Sequence, residues 1–110
     1  MSDYYEKGDL AAFPAIGENA PELAQKFFAW YGATFADGAL SAREKSLIAL
    51  GVAHAVQCPY CIDAYTTQCL ETGANPEQMM EAVHVAAVMQ AGITLVHSVQ
   101  MQNHLKKMVL

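Results

Sequence analysis

Along this chain apolar residues recur every three or four positions and nowhere alternate, so each segment between Gly and Pro breaks predicts a helix rather than a strand. A short first helix is expected from Asp9 toward Ile16, bent by Pro14. A second runs from Pro21, a favoured first helical residue, to about Phe35, with Leu23, Phe27, Trp30, Tyr31 and Phe35 on its apolar stripe. Ser41-Ala42-Arg43-Glu44 matches a capping box and opens a third helix. From Leu47 to Val56 every residue of that helix except His54 is apolar or Gly, which predicts burial on nearly all sides. Cys58 falls at an N-cap with Pro59 at the first helical position, and the fourth helix reaches Glu71 or Thr72 before Gly73 closes it. Asn75 to Gln78 caps a fifth helix that Ala91-Gly92 is expected to interrupt, and a sixth continues from Ile93 to about Lys107. The fold class is therefore all-α, about six helices, in one domain spanning residues 1–110.

Composition adds an expectation about assembly. Hydrophobic residues are 54% of the 110 and charged residues only 15%, too few charges to cover so small a surface. Burial against further copies of the chain, a homo-oligomer, resolves this most simply. The net charge of −5, with 6 scattered basic residues, gives no positive stripe for a phosphate backbone, so nucleic acid is not an expected partner. Met1 to Glu6 is polar and acidic rather than a leader, and the uncharged stretch from Ala82 to Val99 contains His84, Gln90, Gly92 and His97. A cytoplasmic protein with no membrane attachment is expected.

The chemistry concentrates in Cys58-Pro59-Tyr60-Cys61. Three cysteines without a secretion signal make no disulfide scaffold, whereas a close pair in a reducing compartment is more often catalytic or metal-binding. Unpaired N–H groups and the positive end of the helix dipole favour a thiolate at Cys58, and Cys61, one turn on, is placed to close a reversible disulfide. Two inert core cysteines, or a zinc site lacking its second ligand pair, are weaker readings. The same four letters occur in glutaredoxins, where they follow a strand; here an apolar helix precedes them. Tyr65 and Cys69 follow Cys61 at four-residue steps on one helix face, Tyr65 as a hydrogen-bond donor to a peroxide or as packing, Cys69 as core. His54, four residues before Cys58, is a candidate general base or a hydrogen-bonded core histidine. The stripe His97, Met101, His104, Met108 reads as core or subunit interface, and Glu44 as a capping residue.

The stretches LSAREKSLIALGVAHAVQCPYCIDAYT, TGANPEQMMEAVHVAA and LVHS resemble the carboxymuconolactone decarboxylase and AhpD-like alkylhydroperoxidase family. That resemblance implies paired helices assembled as a trimer or hexamer, and a dithiol at a subunit interface in which Cys61 attacks peroxide and Cys58 resolves. Two positions depart from the family: the relay histidine's place is held by Tyr65 and the relay glutamate's by Ser46. The N-terminal DYYEKGDLAAFPAIGENAPELAQKFFAWYGATFADGAL is similar to a narrower group, the peroxidase-like proteins associated with arsenosugar biosynthesis. Decarboxylase members work without a redox dithiol, which counts against a lactone decarboxylase here. The expected function is a CxxC oxidoreductase, reducing a hydroperoxide or disulfide through a Cys58–Cys61 bond, with an external dithiol as reductant and no bound cofactor. The competing expectation is a noncatalytic dithiol protein that captures As(III) or another thiophilic ion.

Overall fold

The computed structural model describes residues 6–109, which are helical with no strand among them. Met1–Tyr5, whose polar start carries the argument against a leader, lie outside the described residues, as does Leu110. Helix α1 (Asp9–Ala12) passes straight into a 3-10 helix (Phe13–Asn19), and α2 (Pro21–Phe35), α3 (Ala42–Ala55), α4 (Pro59–Glu71), α5 (Pro76–Val96) and α6 (Ser98–Val109) follow. The expected first helix is thus split just ahead of Pro14, whose missing N–H and ring exclude a regular α-turn.

Local chemistry explains where the long helices begin. Ser41 Oγ accepts from the Glu44 N–H at 3.1 Å while the Glu44 carboxylate accepts from the Ser41 N–H at 2.8 Å, a reciprocal box that also holds the Glu44 carboxyl below its usual range. Asn75 and Gln78 repeat the device at α5, at 2.8 and 2.9 Å. Two helices end in Schellman turns. At the end of α4, Gly73 (φ +92°) takes the left-handed position and the Ala74 N–H bonds to the Cys69 carbonyl at 2.9 Å. At the end of α3 the same position is held by Gln57 (φ +58°), and the Cys58 N–H bonds back to the Ala53 carbonyl at 3.1 Å.

The core lies where α4 and α5 pack against α3. Leu50, Ala53, Cys69 and Ala74 are its buried apolar residues, with Leu47, Tyr65, Met79 and Val83 half-buried around them. Gly51 lets α3 and α5 approach closely, since a Cβ there would stand 3.2 Å from the Ala82 carbonyl oxygen. Gln90 Nε2 donates to the Ala55 carbonyl at 2.7 Å, satisfying a C-terminal carbonyl of α3 from α5.

Two expectations are corrected. Helix α3 is buried on one face only: α4 and α5 share a side, leaving Ile48, Val52 and Val56 exposed. Gly92 does not interrupt α5, which continues to Val96 because a lone glycine costs a helix only ~1 kcal/mol and no left-handed turn follows it. The change of helix falls at His97 instead, so α5 and α6 form a nearly continuous rod, Pro76–Val109, long and apolar enough to cross a membrane by length and composition alone. Trp30, and Met101 and Met108 of the α6 stripe, are exposed in the single chain. The chain is accordingly extended, 61 × 35 × 34 Å with a radius of gyration of 19.1 Å, against about 13 Å for a compact domain of this length.

Candidate functional site

Gln57 positions the dithiol. Its left-handed conformation, which costs a non-glycine residue ~1–2 kcal/mol, turns the chain out of α3 so that Cys58 becomes the N-cap of α4. Pro59 at the first helical position has no N–H to leave unpaired, and the Cys61 N–H donates to Cys58 Sγ at 3.3 Å. The two sulfurs, both half-buried, are 2.8 Å apart, so forming a bond of about 2.05 Å takes only a small side-chain movement. The Cys61 thiol is pushed up to about 11, first by burial and then by its hydrogen bond to Cys58 and the charge there. Cys61 therefore keeps its proton at neutral pH.

Tyr65 comes to the same place from one turn further along α4. Its ring stacks on Phe35, with centroids 5.5 Å apart and planes at 17°, and its hydroxyl is hydrogen-bonded to that of Tyr31 on α2. Burial, the bond to Tyr31 and the neighbouring Cys61 all push the Tyr65 phenol above its usual value, so it stays a proton donor throughout the ordinary pH range.

Two cavities meet at this point. One, of about 590 Å³, is lined by both cysteines, Tyr31, Tyr60, Tyr65 and residues of the N-terminal segment. The other, of about 460 Å³, reaches Cys61 and Tyr65 from the side of α3, between Phe35, Leu40, Val52 and Val56. Cys61 and Tyr65 thus form a shared wall, while Cys58 lines only the larger cavity.

The structure brings together Cys58, Cys61 and Tyr65. His54 lines neither cavity, and its Nδ1 donates to the Leu50 carbonyl at 2.8 Å within α3. Cys69, two turns beyond Cys61, is fully buried in the core, and burial raises its thiol. Ser46 is also fully buried: its Oγ donates to the Ala42 carbonyl at 2.8 Å and accepts from Gln68 Nε2 at 3.0 Å. It is sealed into the α3–α4 contact, with no carboxylate to carry a proton. Sequence reasoning missed Phe13, Tyr31 and Tyr60 as cavity residues. Tyr60 lies inside the CxxC motif, which was the available signal; Tyr31 was legible only as part of an apolar stripe. Among the described residues no group of three or more His, Cys, Asp or Glu side chains is placed to hold a metal ion.

Residues 21–102 match the model of the carboxymuconolactone decarboxylase family. The chain belongs to that family, in its AhpD-like form. It is 43% identical over 90 residues to uncharacterized protein 4 in the cox locus of Paracoccus denitrificans, a match covering 79% of this chain and 81% of that one. It is also similar to a protein of known crystal structure from Methanobacterium thermoautotrophicum, with a TM-score of 0.72 and 32% identity over 76% of this chain and 91% of the other. The family match starts at Pro21, so α1 and the 3-10 helix that wall the larger cavity precede the matched region.

Proposed function

We propose that this family member is a dithiol oxidoreductase that reduces hydroperoxides through a Cys58–Cys61 disulfide. Family membership supports a peroxidase-like or related role. The observation that carries the reading is the pair of sulfurs 2.8 Å apart at the start of α4, opening into a cavity walled by phenols. The Cys58 thiolate attacks the terminal peroxide oxygen, the O–O bond breaks, and the departing alkoxide takes a proton from Tyr65, which regains one from solvent, leaving Cys58 as a sulfenic acid and the substrate as an alcohol. The Cys61 sulfur then attacks Cys58 Sγ, a water leaves with the Cys61 proton, and the disulfide closes. An external dithiol reduces it by exchange and is itself oxidised. These roles reverse the ones the family resemblance implied. The high pKa of Cys61 and the helix-end position of Cys58 support the reversal.

The proton route also differs from the resemblance. With Ser46 sealed in the core and Tyr65 in the histidine's place, the hydroxyl pair Tyr65–Tyr31 is the donor system at the thiols. The same replacements motivate the second reading, stoichiometric capture of a thiophilic ion by the two sulfurs. Separate pH profiles for alkylation of Cys58 and Cys61, read by mass spectrometry and followed by a peroxide challenge, decide between them. Cys58 reacting at lower pH than Cys61, with peroxide converting the pair to a disulfide, supports the peroxidase. Equal, ordinary reactivity with no disulfide formed removes it.

We also propose that the protein works as a homo-oligomer. The chain exposes 8689 Å², against roughly 6,000 Å² for a compact monomer of this mass. Among the exposed apolar side chains, Ile48, Val52, Val85 and Met89 border a groove between α3 and α5.

A further inference from the structure

We propose that the cavity beside the dithiol takes its substrate by an uncharged, ring-bearing apolar group, and that Phe13 selects for that group. The substrate class rests on the peroxidase reading; the preference for such a ligand does not.

The argument starts from size. At about 590 Å³ the cavity lies in the range of small-molecule sites and is far larger than hydrogen peroxide needs. Its lining is aromatic on several sides: Phe13, Phe27, Tyr31, Tyr60 and Tyr65 surround the space into which both thiols open. Phe13 is the centre of this arrangement. Its ring meets those of Phe28, Tyr60, Phe27 and Tyr31 edge-on, with centroids 5.3, 5.6, 6.3 and 6.4 Å away. Edge-to-face contacts of this kind give an added aromatic ring favourable places to sit, whereas a small polar peroxide gains nothing from them.

Charge narrows the class further. Among the described residues Asp9 is the one carboxylate on the lining, and its Oδ2 accepts from the Glu6 N–H at 2.6 Å. Among the described residues no basic side chain lines the cavity to balance an anionic substrate, so a carboxylate-bearing hydroperoxide is disfavoured. The wall is held in place through the motif itself, because Tyr60 Oη, between the two cysteines, donates to the Leu10 carbonyl at 2.8 Å. Phe13 and its segment precede the residues matched by the family model, so this wall is separate from the matched domain.

The test uses the full-length reduced protein and two alcohols that report binding without turnover. NMR titration compares 2-phenyl-2-propanol with tert-butanol, and kcat/KM is measured for cumene hydroperoxide, tert-butyl hydroperoxide and hydrogen peroxide with dithiothreitol. The expected result is saturable shifts at Cys61 and Ala64 with the phenyl alcohol and none with tert-butanol. Cumene hydroperoxide is then preferred over hydrogen peroxide on the order of tenfold or more. Phe13→Ala lowers that preference by a similar factor, and Phe13→Leu, which keeps most of the apolar volume and the fold, lowers it while leaving the melting temperature close to wild type. Absence of saturable phenyl binding at the dithiol overturns the proposal, as does a loss in both variants that is equal for all three peroxides. Saturable phenyl binding with no turnover of any peroxide supports the cavity's ligand preference and removes the peroxidase reading instead.

Discussion

The two ends of α4 carry the same functional group in opposite settings. At its N-terminus Cys58 and Cys61 are half-exposed, 2.8 Å apart and open to cavities; at its C-terminus Cys69 is sealed among Leu50, Ala74, Met79 and Val83. One 13-residue helix therefore separates an accessible, closely spaced thiol pair from a buried core thiol. The difference comes from what each end packs against, since the thiol itself is the same. The reactivity proposed for the pair draws on the positive end of the helix dipole and on solvent access at a helix start. Inertness follows burial with apolar neighbours.

The contrast is broken most completely at the dithiol end. Cys58→Ser or Cys61→Ser is expected to reduce peroxide turnover by on the order of 10³-fold or more, because each removes a group that forms or breaks a covalent bond. Steady-state assays with dithiothreitol measure this. Tyr65→Phe, which keeps the stacking on Phe35 and removes the proton donor, is expected to lower kcat by ~10²-fold, the low end for a general acid. If kcat is unchanged, the alkoxide takes its proton elsewhere.

At the inert end, Cys69→Ser is expected to leave turnover at 25 °C unchanged while lowering stability by ~1–2 kcal/mol, since a hydroxyl enters an apolar site. Urea unfolding measures the loss. In the wild type, Cys69 is expected to resist alkylation until the protein is unfolded.

Protonation separates the two ends in another way. The Cys61 thiol has a folded value of about 11, raised from 9.0. The folded state holds this proton where the unfolded chain has lost it, so the associated stability is fully present below pH 9 and is lost as the pH rises toward 11. Urea midpoints of the reduced protein are expected to fall across that window more steeply than those of the disulfide form, in which Cys61 has no proton to lose. The smallest expected effect is at the turn before the dithiol: Gln57→Gly relieves the left-handed conformation and is expected to raise stability by up to ~1 kcal/mol, read as a small rise in Tm.

Much of this was legible in the residues because the deciding interactions are local. Ser41-x-x-Glu44, Asn75-x-x-Gln78, Pro21, Pro59 and Gly73 fix helix ends through bonds spanning a few residues, and Cys58 could be placed at an N-cap on the same grounds. What stayed hidden depends on distance in sequence. The Tyr31–Tyr65 bond joins residues 34 apart, the Tyr60–Leu10 bond residues 50 apart, and no spacing rule predicts either. The exposure of Ile48, Val52 and Val56 was misread because an all-apolar run reports that a helix is covered without reporting which molecule covers it. Gly92 was misread because a break needs a left-handed turn as well as a weak helix former.

Gln57 carries one more lesson, about transplantation. The letters Cys-Pro-Tyr-Cys could be written onto the start of any helix, but in this chain their geometry is inherited from the reversal that precedes them, where a side-chain-bearing residue occupies a conformation usually left to glycine. Anyone grafting the motif into another scaffold should therefore carry at least Ala53 through Cys61 as a unit, including both backbone bonds of the turn, Gln57 N–H to the His54 carbonyl and Cys58 N–H to the Ala53 carbonyl. The transferable part is the bend together with the four residues it delivers.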